Sequence, residues 1–412
     1  MADPTRESAF DLLTAVLERH RPLEEALDAL PAQEPRDRAA AHRLAAAVLR
    51  RTGTLDAVLE PFLRKEPPEP VRNILRIGAA GLLLLETPGH AAVATAVGLA
   101  KRRGLMPFAG LINAVLRKVA TAGAGVLEDL DAPRLDTPGW LWTSWGQSAR
   151  AIATAHQTEA PLDVTLKPGI APPEGGLLLP TGSVRFPAGT RVADIPGFEA
   201  GDLWVQDAAA ALPARLLAAQ AHERIVDLCA APGGKTAQLA AAGAVVTAVE
   251  RDPARIERLT ANLKRWNLPA EVINADATAW TPPALFDAVL LDAPCSATGT
   301  IRRHPDVARV KRQRDVQTVT LAQDKLLDAA AGMLRSGGRL IYAVCSLQPE
   351  EGAPRIAAIA ARTGLRPDPF TAEELATLPE ARTREGFLRT HPGMWHESGG
   401  MDGFFAARLI KP

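Results

Sequence analysis

Beyond Gln220 the chain takes up a rhythm that few folds tolerate. Short runs rich in valine, isoleucine and leucine occupy residues 225–228, 245–249, 272–273, 288–291 and 340–344, each closing near a polar residue or a cysteine. Continuous apolar runs of this length suit strands buried on both faces, as in parallel sheets covered by helices. Between the second and third runs, Asp252-Pro253 offers a helix cap followed by proline at the first helical position, and Ile256, Leu259, Leu263 and Trp266 fall on one face. The alternation predicts a doubly wound α/β sheet whose ligand site lies beyond the carboxyl ends of the strands. A last run, residues 404–410, is expected as a further strand at the sheet edge.

The first third reads differently. It is rich in alanine and leucine, with Val71, Ile74 and Leu75, then Leu111, Val115 and Val119, spaced for helical apolar faces, and it is punctuated at Gly53, Pro67-Pro68, Pro88-Gly89 and Gly104. An all-helical domain over residues 1–135 follows. Its basic clusters, Lys101-Arg102-Arg103 and Arg117-Lys118, suit RNA or simply a solvated helix face. Trp140, Trp142 and Trp145, followed by the proline- and glycine-rich residues 167–187, mark a connecting region with a small α+β subdomain over 136–220. Such tryptophans either stack bases or pack one domain on the next. The α/β part then spans 221–412.

At 412 residues the chain exceeds what one core usually organises. Its 47 lysines and arginines balance 47 aspartates and glutamates, so any pull on nucleic acid must come from local patches. Three cysteines do not make a disulfide framework, and free thiols in a reducing compartment are expected. Met1-Ala2-Asp3-Pro4 shows no signal pattern, and the apolar run at residues 77–85 falls short of the roughly 20 residues that a membrane span needs. A cytoplasmic protein with no membrane contact, no metal site, no obligate protein partner and a monomeric state is the expectation.

The first strand closes into Asp227-Leu228-Cys229-Ala230-Ala231-Pro232-Gly233-Gly234-Lys235-Thr236. Adjacent glycines let a ligand approach the backbone, and a helix start presents free N–H groups to an anion. Gly234-Lys235-Thr236 also matches the end of a phosphate-binding loop, but that motif needs a glycine where Cys229 stands, which weighs against a nucleotide hydrolase. Glu250, ending the second strand, suits a ribose diol, and Asp276 after the third suits an adenine amino group. A polar strand cap is the plain alternative for each. Together with the loop they indicate a nucleoside ligand.

Two of the three cysteines sit in matched settings: Cys295 in Asp292-Ala293-Pro294-Cys295-Ser296 and Cys345 in Tyr342-Ala343-Val344-Cys345-Ser346. One thiol can attack and the other can help finish. Just after the first, Arg302, Arg303, Arg309, Lys311, Arg312 and Arg314 face a single acid, Asp306, where a phosphate clamp would be useful; the alternative is a solvated helix face.

With these words in place, the chain resembles the Nol/Nop/Sun family of RNA cytosine-5 methyltransferases, most closely its bacterial Sun type acting on 16S ribosomal RNA. The likeness rests on the 229–235 loop, on the run from Asp292 through Cys295 to Asp306, on Tyr342 to Ser346 with Gln348-Pro349-Glu350-Glu351, and on Asp402-Gly403-Phe404-Phe405. The first domain is similar to the NusB-type RNA-binding domain that precedes the catalytic part in that subgroup. The resemblance implies a Rossmann-like class I methyltransferase fold and S-adenosylmethionine as cofactor, held by residues 229–235, Glu250, Asp276 and Asp292. It implies Cys345 as nucleophile, adding to carbon 6 of cytosine, and Cys295 as the group that promotes release, with Asp292 expected to contact ring nitrogen 3. Three departures stand out: Glu250 where aspartate is usual, Val344 where threonine is typical, and Thr165-Leu166-Lys167-Pro168 where an arginine-valine-asparagine word is common. A transfer RNA methyltransferase and a non-catalytic RNA-binding assembly factor are the competing readings.

Overall fold

The computed structural model describes residues 3–412 and divides into two compact units, residues 1–159 with 301–312, and residues 160–300 with 313–412. Met1 and Ala2, part of the segment read for a signal, lie outside the described residues. Among the described residues no helix is long and apolar enough to cross a membrane, and no group of side chains could hold a metal ion.

The first unit is helical. Asp3 caps the opening helix Pro4–Leu17 by accepting the Arg6 N–H at 3.1 Å, with proline at the first helical position. The helix Glu69–Leu83 buries Val71, Ile74, Leu75 and Ile77 in one core with Leu12, Leu13 and Leu49, and Ile112, Val115, Leu116 and Val119 join from Ala109–Ala122. Each such fully buried side chain contributes roughly 1.5–3 kcal/mol. The boundary expected near Asp136 does not fall there. Asp136 is buried, its Oδ1 accepting the Thr54 N–H at 2.7 Å and its Oδ2 the Thr54 hydroxyl at 2.7 Å, so the helices Ala132–Asp136, Gly139–Trp145 and Ala149–Ala155 stay with this unit. Trp145 is buried edge-on to His156, with ring centres 5.5 Å apart, while Trp142 lies beneath the Arg134 and Arg150 guanidinium groups.

The second unit begins with a four-stranded antiparallel sheet of β1 (Leu162–Leu166), β2 (Leu177–Leu178), β3 (Val184–Phe186) and β4 (Leu203–Val205), in the order β2-β3-β1-β4. A buried bidentate pair locks it, Arg185 donating Nε and Nη2 to the two Asp163 oxygens at 2.6 and 2.7 Å. Thr165 is no surface residue either, since it is buried and its hydroxyl donates to Gln206 Oε1 at 2.8 Å.

The larger sheet holds β5 (Arg224–Leu228), β6 (Val245–Glu250), β7 (Glu271–Asn274), β8 (Phe286–Asp292), β9 (Leu334–Val344), β10 (Arg366–Pro367), β11 (Leu388–Arg389) and β12 (Phe405–Ile410). Its order is β10-β12-β9-β8-β5-β6-β7, with β11 pairing β12. Strands β5 to β9 are mutually parallel, as the alternating rhythm predicts, with Leu228 beside Val249 and Leu291 beside Tyr342. β12 is not the edge: it runs antiparallel between β9 and the short β10 and β11. Strand order reverses between β5 and β8, which leaves a crevice beyond their carboxyl ends. The first glycine loop follows β5, Glu250 ends β6, Asp292 ends β8, and Cys345 follows β9.

Candidate active site

At that crevice the two motif cysteines meet, with Cys295 Sγ 3.4 Å from Cys345 Sγ. Both residues are half-buried. Beside them Lys235 Nζ donates to Asp292 Oδ2 at 2.7 Å and lies 5.3 Å from the centre of the Phe404 ring. Burial opposes the charge of Lys235, but Asp292 overcomes it, with Cys345 and Asp227 helping, and the ammonium is held above its ordinary range. The Cys295 thiol is pushed well above its usual range, first by its hydrogen bond to Cys345, then by burial and by negative charge at Cys345 and Glu351. The two sulfurs share one hydrogen bond, which either of them can donate.

Backbone contacts fix this arrangement. Gly299 N donates to the Cys345 carbonyl at 3.0 Å, and Gly403 N donates to the Gly299 carbonyl at 2.8 Å. A side chain on Gly299 would place its Cβ 1.9 Å from the Gly403 oxygen, so only glycine lets the three loops touch. The Asp402-Gly403-Phe404-Phe405 ending thereby becomes part of the site.

The comparisons with known proteins come down on one family. The description "16S rRNA methyltransferase RsmB/F" matches residues 214–410, and the NusB family matches residues 3–121. A Cronobacter sakazakii protein named ribosomal RNA small subunit methyltransferase B is 34% identical, covering 98% of each chain. The protein of the same name from Xylella fastidiosa is 37% identical over 98% of this chain and 99% of its own. The chain belongs to the RsmB/F methyltransferase family. The crystal structure of PH0851 superposes with a TM-score of 0.76 at 21% identity, covering 100% of this chain and 99% of that one, a likeness of fold. Membership makes this chain an S-adenosylmethionine-dependent RNA methyltransferase with a NusB-type first domain.

The site residues of this RsmB/F chain fit that cofactor. Gly233 adopts φ +105, and a Cβ there would lie 2.6 Å from Leu259, so the loop folds closely over the helix Pro253–Trp266. Glu250 is buried; its Oε1 accepts the Arg251 and Asp252 N–H groups at 3.0 and 3.2 Å, while its Oε2 accepts no hydrogen bond and faces Arg255 at 3.3 Å. That oxygen suits a ribose hydroxyl. Asp276 is exposed, its Oδ1 closing a local turn by accepting the Thr278 N–H and hydroxyl, which hold its carboxyl below the usual range. Cys229 is a bystander thiol: burial, then the Glu250 and Asp292 charges, push it up to about 12. Val344 is fully buried among Tyr342 and Phe405, where a hydroxyl would need a partner.

Asp227, the residue that opens the glycine loop, has a role that its sequence context does not reveal. It is buried, its Oδ2 accepting the Thr236 hydroxyl at 2.6 Å and its Oδ1 lacking a hydrogen bond. Burial pushes its carboxyl up to about 7, against the Thr236 hydrogen bond and with Asp292 adding. Because the folded value stands above the unfolded one of about 3.9, this group's stabilisation is complete below about pH 4 and is lost as pH rises through about 7. Denaturant unfolding of Asp227→Asn beside the wild type should show the variant losing less stability between pH 5 and 8, by about 2–4 kcal/mol. Parallel curves would refute this account of the residue.

The basic segment after Cys295 requires a correction. Residues 301–312 pack into the helical unit, with Ile301, Pro305, Val307 and Ala308 buried. Arg302 is 1% exposed, and Arg50 donates to its carbonyl at 2.7 Å. Arg309 is half-buried, its Nη2 donating to the Asp136 carbonyl at 2.7 Å. Asp306, the lone acid, accepts the Leu23 N–H at 3.0 Å and so satisfies the start of the helix Leu23–Asp28, which follows Pro22 and has no side-chain cap of its own. Arg302 and Arg309 are thus structural and do not face an incoming phosphate. Arg303 and Lys311 are half-buried and Arg312 is exposed, with Arg312 Nη2 2.6 Å from His20 Nε2. Arg314, the sixth cation of the run, is exposed beside Asp315.

Proposed function

We propose that this chain methylates carbon 5 of a cytosine in 16S ribosomal RNA, using Cys345 as a transient covalent nucleophile. The observation that carries the reading is the pair of sulfurs 3.4 Å apart beside Lys235 and Asp292, at the strand ends where the cofactor loop lies. Carbon 5 of cytosine is a feeble nucleophile, so the Cys345 thiolate adds to carbon 6 and turns the ring into an enamine. Ring nitrogen 3 takes a proton from water as the thiolate adds, and Asp292, fixed by Lys235 through one oxygen, accepts the resulting N–H with the other. When bound, S-adenosylmethionine supplies an electrophilic sulfonium methyl.

Release follows from the same electrostatics. Once Cys345 is bonded to carbon, it neither carries charge nor accepts a hydrogen bond well, so the first cause that kept Cys295 protonated disappears. Cys295 then passes its proton to water and takes the carbon 5 proton as the carbon 6–sulfur bond breaks and Cys345 leaves as a thiolate. The target base must be unstacked to reach these sulfurs, at a cost of about a few kcal/mol that is smallest in loops and bulges. The reading has the protein working as a cytoplasmic monomer.

The test is methylation with methyl-labelled S-adenosylmethionine of purified 16S RNA and transfer RNA in parallel, followed by nucleoside analysis. Label recovered as 5-methylcytosine from 16S RNA alone is the expected result. Label confined to transfer RNA, or found on another atom, overturns the assignment.

A further inference from the structure

Behind the two sulfurs lies a carboxylate that the mechanism above leaves unused. Glu351 is fully buried, and four donors converge on it: the Ser296 and Ser346 hydroxyls at Oε1, and the Ser296 N–H at 3.0 Å and Gln323 Nε2 at 2.8 Å at Oε2. Ser296 follows Cys295, and Ser346 follows Cys345. The two serine hydroxyls also lie 2.9 Å from each other, and Gln323 reaches on to the Pro294 carbonyl at 3.0 Å. One side chain therefore joins the residues next to both reactive sulfurs. We infer that Glu351 is a positioning residue for both cysteines: its buried carboxylate pins the Cys295 loop to the Cys345 loop and sets which sulfur attacks.

The geometry explains the first half of that role. The loops leave different strands, β8 and β9, fifty residues apart in sequence, and a sulfur separation of 3.4 Å requires them to be held in one register. Charge-assisted hydrogen bonds to a single buried carboxylate are short and directional, which suits them to that task. Electrostatics explains the second half, because the Glu351 charge opposes ionisation of Cys295, whereas Lys235 sets a positive charge near Cys345. The other groups facing this carboxylate are Tyr342, whose hydroxyl donates to the Glu351 carbonyl at 2.9 Å, and Arg389 of β11, which donates to the Ser346 carbonyl at 2.6 Å. Arg355, paired with Asp324, lies on the helix that follows. None of these hydrogen-bonds both cysteine loops.

This inference rests on the covalent reading, so its test includes one arm that needs no RNA. Iodoacetamide alkylation of the whole protein, followed by mass spectrometry across pH, reads the two thiols separately. In the wild type Cys345 should label first. In Glu351→Gln, loss of the negative charge should bring Cys295 alkylation to lower pH, with faster labelling at a given pH. The same variant should lose about tenfold or more in kcat while KM for RNA stays within about twofold, as expected when groups act only after binding. Ser346→Ala, which leaves the charge in place, should lower kcat without moving the Cys295 profile.

An unchanged Cys295 profile or wild-type kcat in a folded Glu351→Gln protein overturns the proposal. Should Glu351→Gln not fold, Ser296→Ala and Ser346→Ala decide instead: acting through one carboxylate, their losses in kcat should not add, and full additivity overturns it. Failure of the covalent reading is visible separately, as absence of Cys345-dependent trapping of wild-type protein on RNA containing 5-fluorocytidine, whose ring fluorine cannot leave as a proton does.

Discussion

Cys345→Ala should abolish methyl transfer, by roughly four orders of magnitude or more, without loss of cofactor binding. The reason is chemical: without the thiolate no enamine forms, and the groups that remain, Lys235 and Asp292, can bind and polarise a cytosine but cannot activate carbon 5. Cys295→Ala should fail in the opposite sense. Addition through Cys345 would still proceed, the base that takes the carbon 5 proton would be missing, and a protein–RNA adduct should accumulate as a slow band on a denaturing gel. Both proteins should fold, because each cysteine is half-buried and alanine removes a single atom. Residual turnover in the first variant, or wild-type RNA binding with no adduct in the second, would remove these sulfurs from the roles given to them.

The second large effect is structural in origin and catalytic in consequence. Gly299→Ala should destabilise the protein by about 3 kcal/mol or more and remove most activity. The added methyl group would meet the Gly403 carbonyl oxygen at 1.9 Å, its carbon at 2.6 Å and the Cys345 carbonyl at 2.9 Å. All three are backbone atoms, so no rotamer change relieves the clash, and the loops bearing Cys295 and Cys345 must part. Gly332→Ala is the matched control. It sits in the helix Gln313–Met333 with nothing within 4 Å of its added carbon, and it should be neutral or stabilise by up to about 1 kcal/mol. Denaturant melts of the two variants, with methyl transfer measured in parallel, test the account, which a wild-type Gly299→Ala protein would end.

The parallel strands were legible because each is a local pattern, an apolar run followed by a loop bearing polar or cysteine residues. The cysteine pair was legible for a related reason, since both motifs lie at strand ends and strand ends of one sheet converge. What the sequence hid depends on distant partners. Arg302 reads like its neighbours, yet Arg50 and the helical core enclose it. Nothing local separates a guanidinium in water from one folded away. Glu350 and Glu351 are adjacent and chemically identical, but the first is exposed and the second fully buried between two serines. The inner place of β12 is hidden in the sequence because its outer neighbours, Arg366–Pro367 and Leu388–Arg389, are two residues each, and one contains proline. The helical unit ran past Asp136 because that aspartate turns inward to Thr54.

The detour of residues 301–312 through the helical unit has a consequence for how the molecule is made. On the ribosome, residues up to 159 emerge well before the stretch that completes their own unit. At about 5–20 residues per second, the interval until residue 312 is added lasts on the order of ten to thirty seconds. Throughout that wait the Leu23 amide lacks its carboxylate, and the surface destined for Ile301 and Val307 faces water. The nascent chain thus carries an open apolar seat for longer than most small domains take to fold, and a gene cut at residue 160 would leave that seat vacant for good.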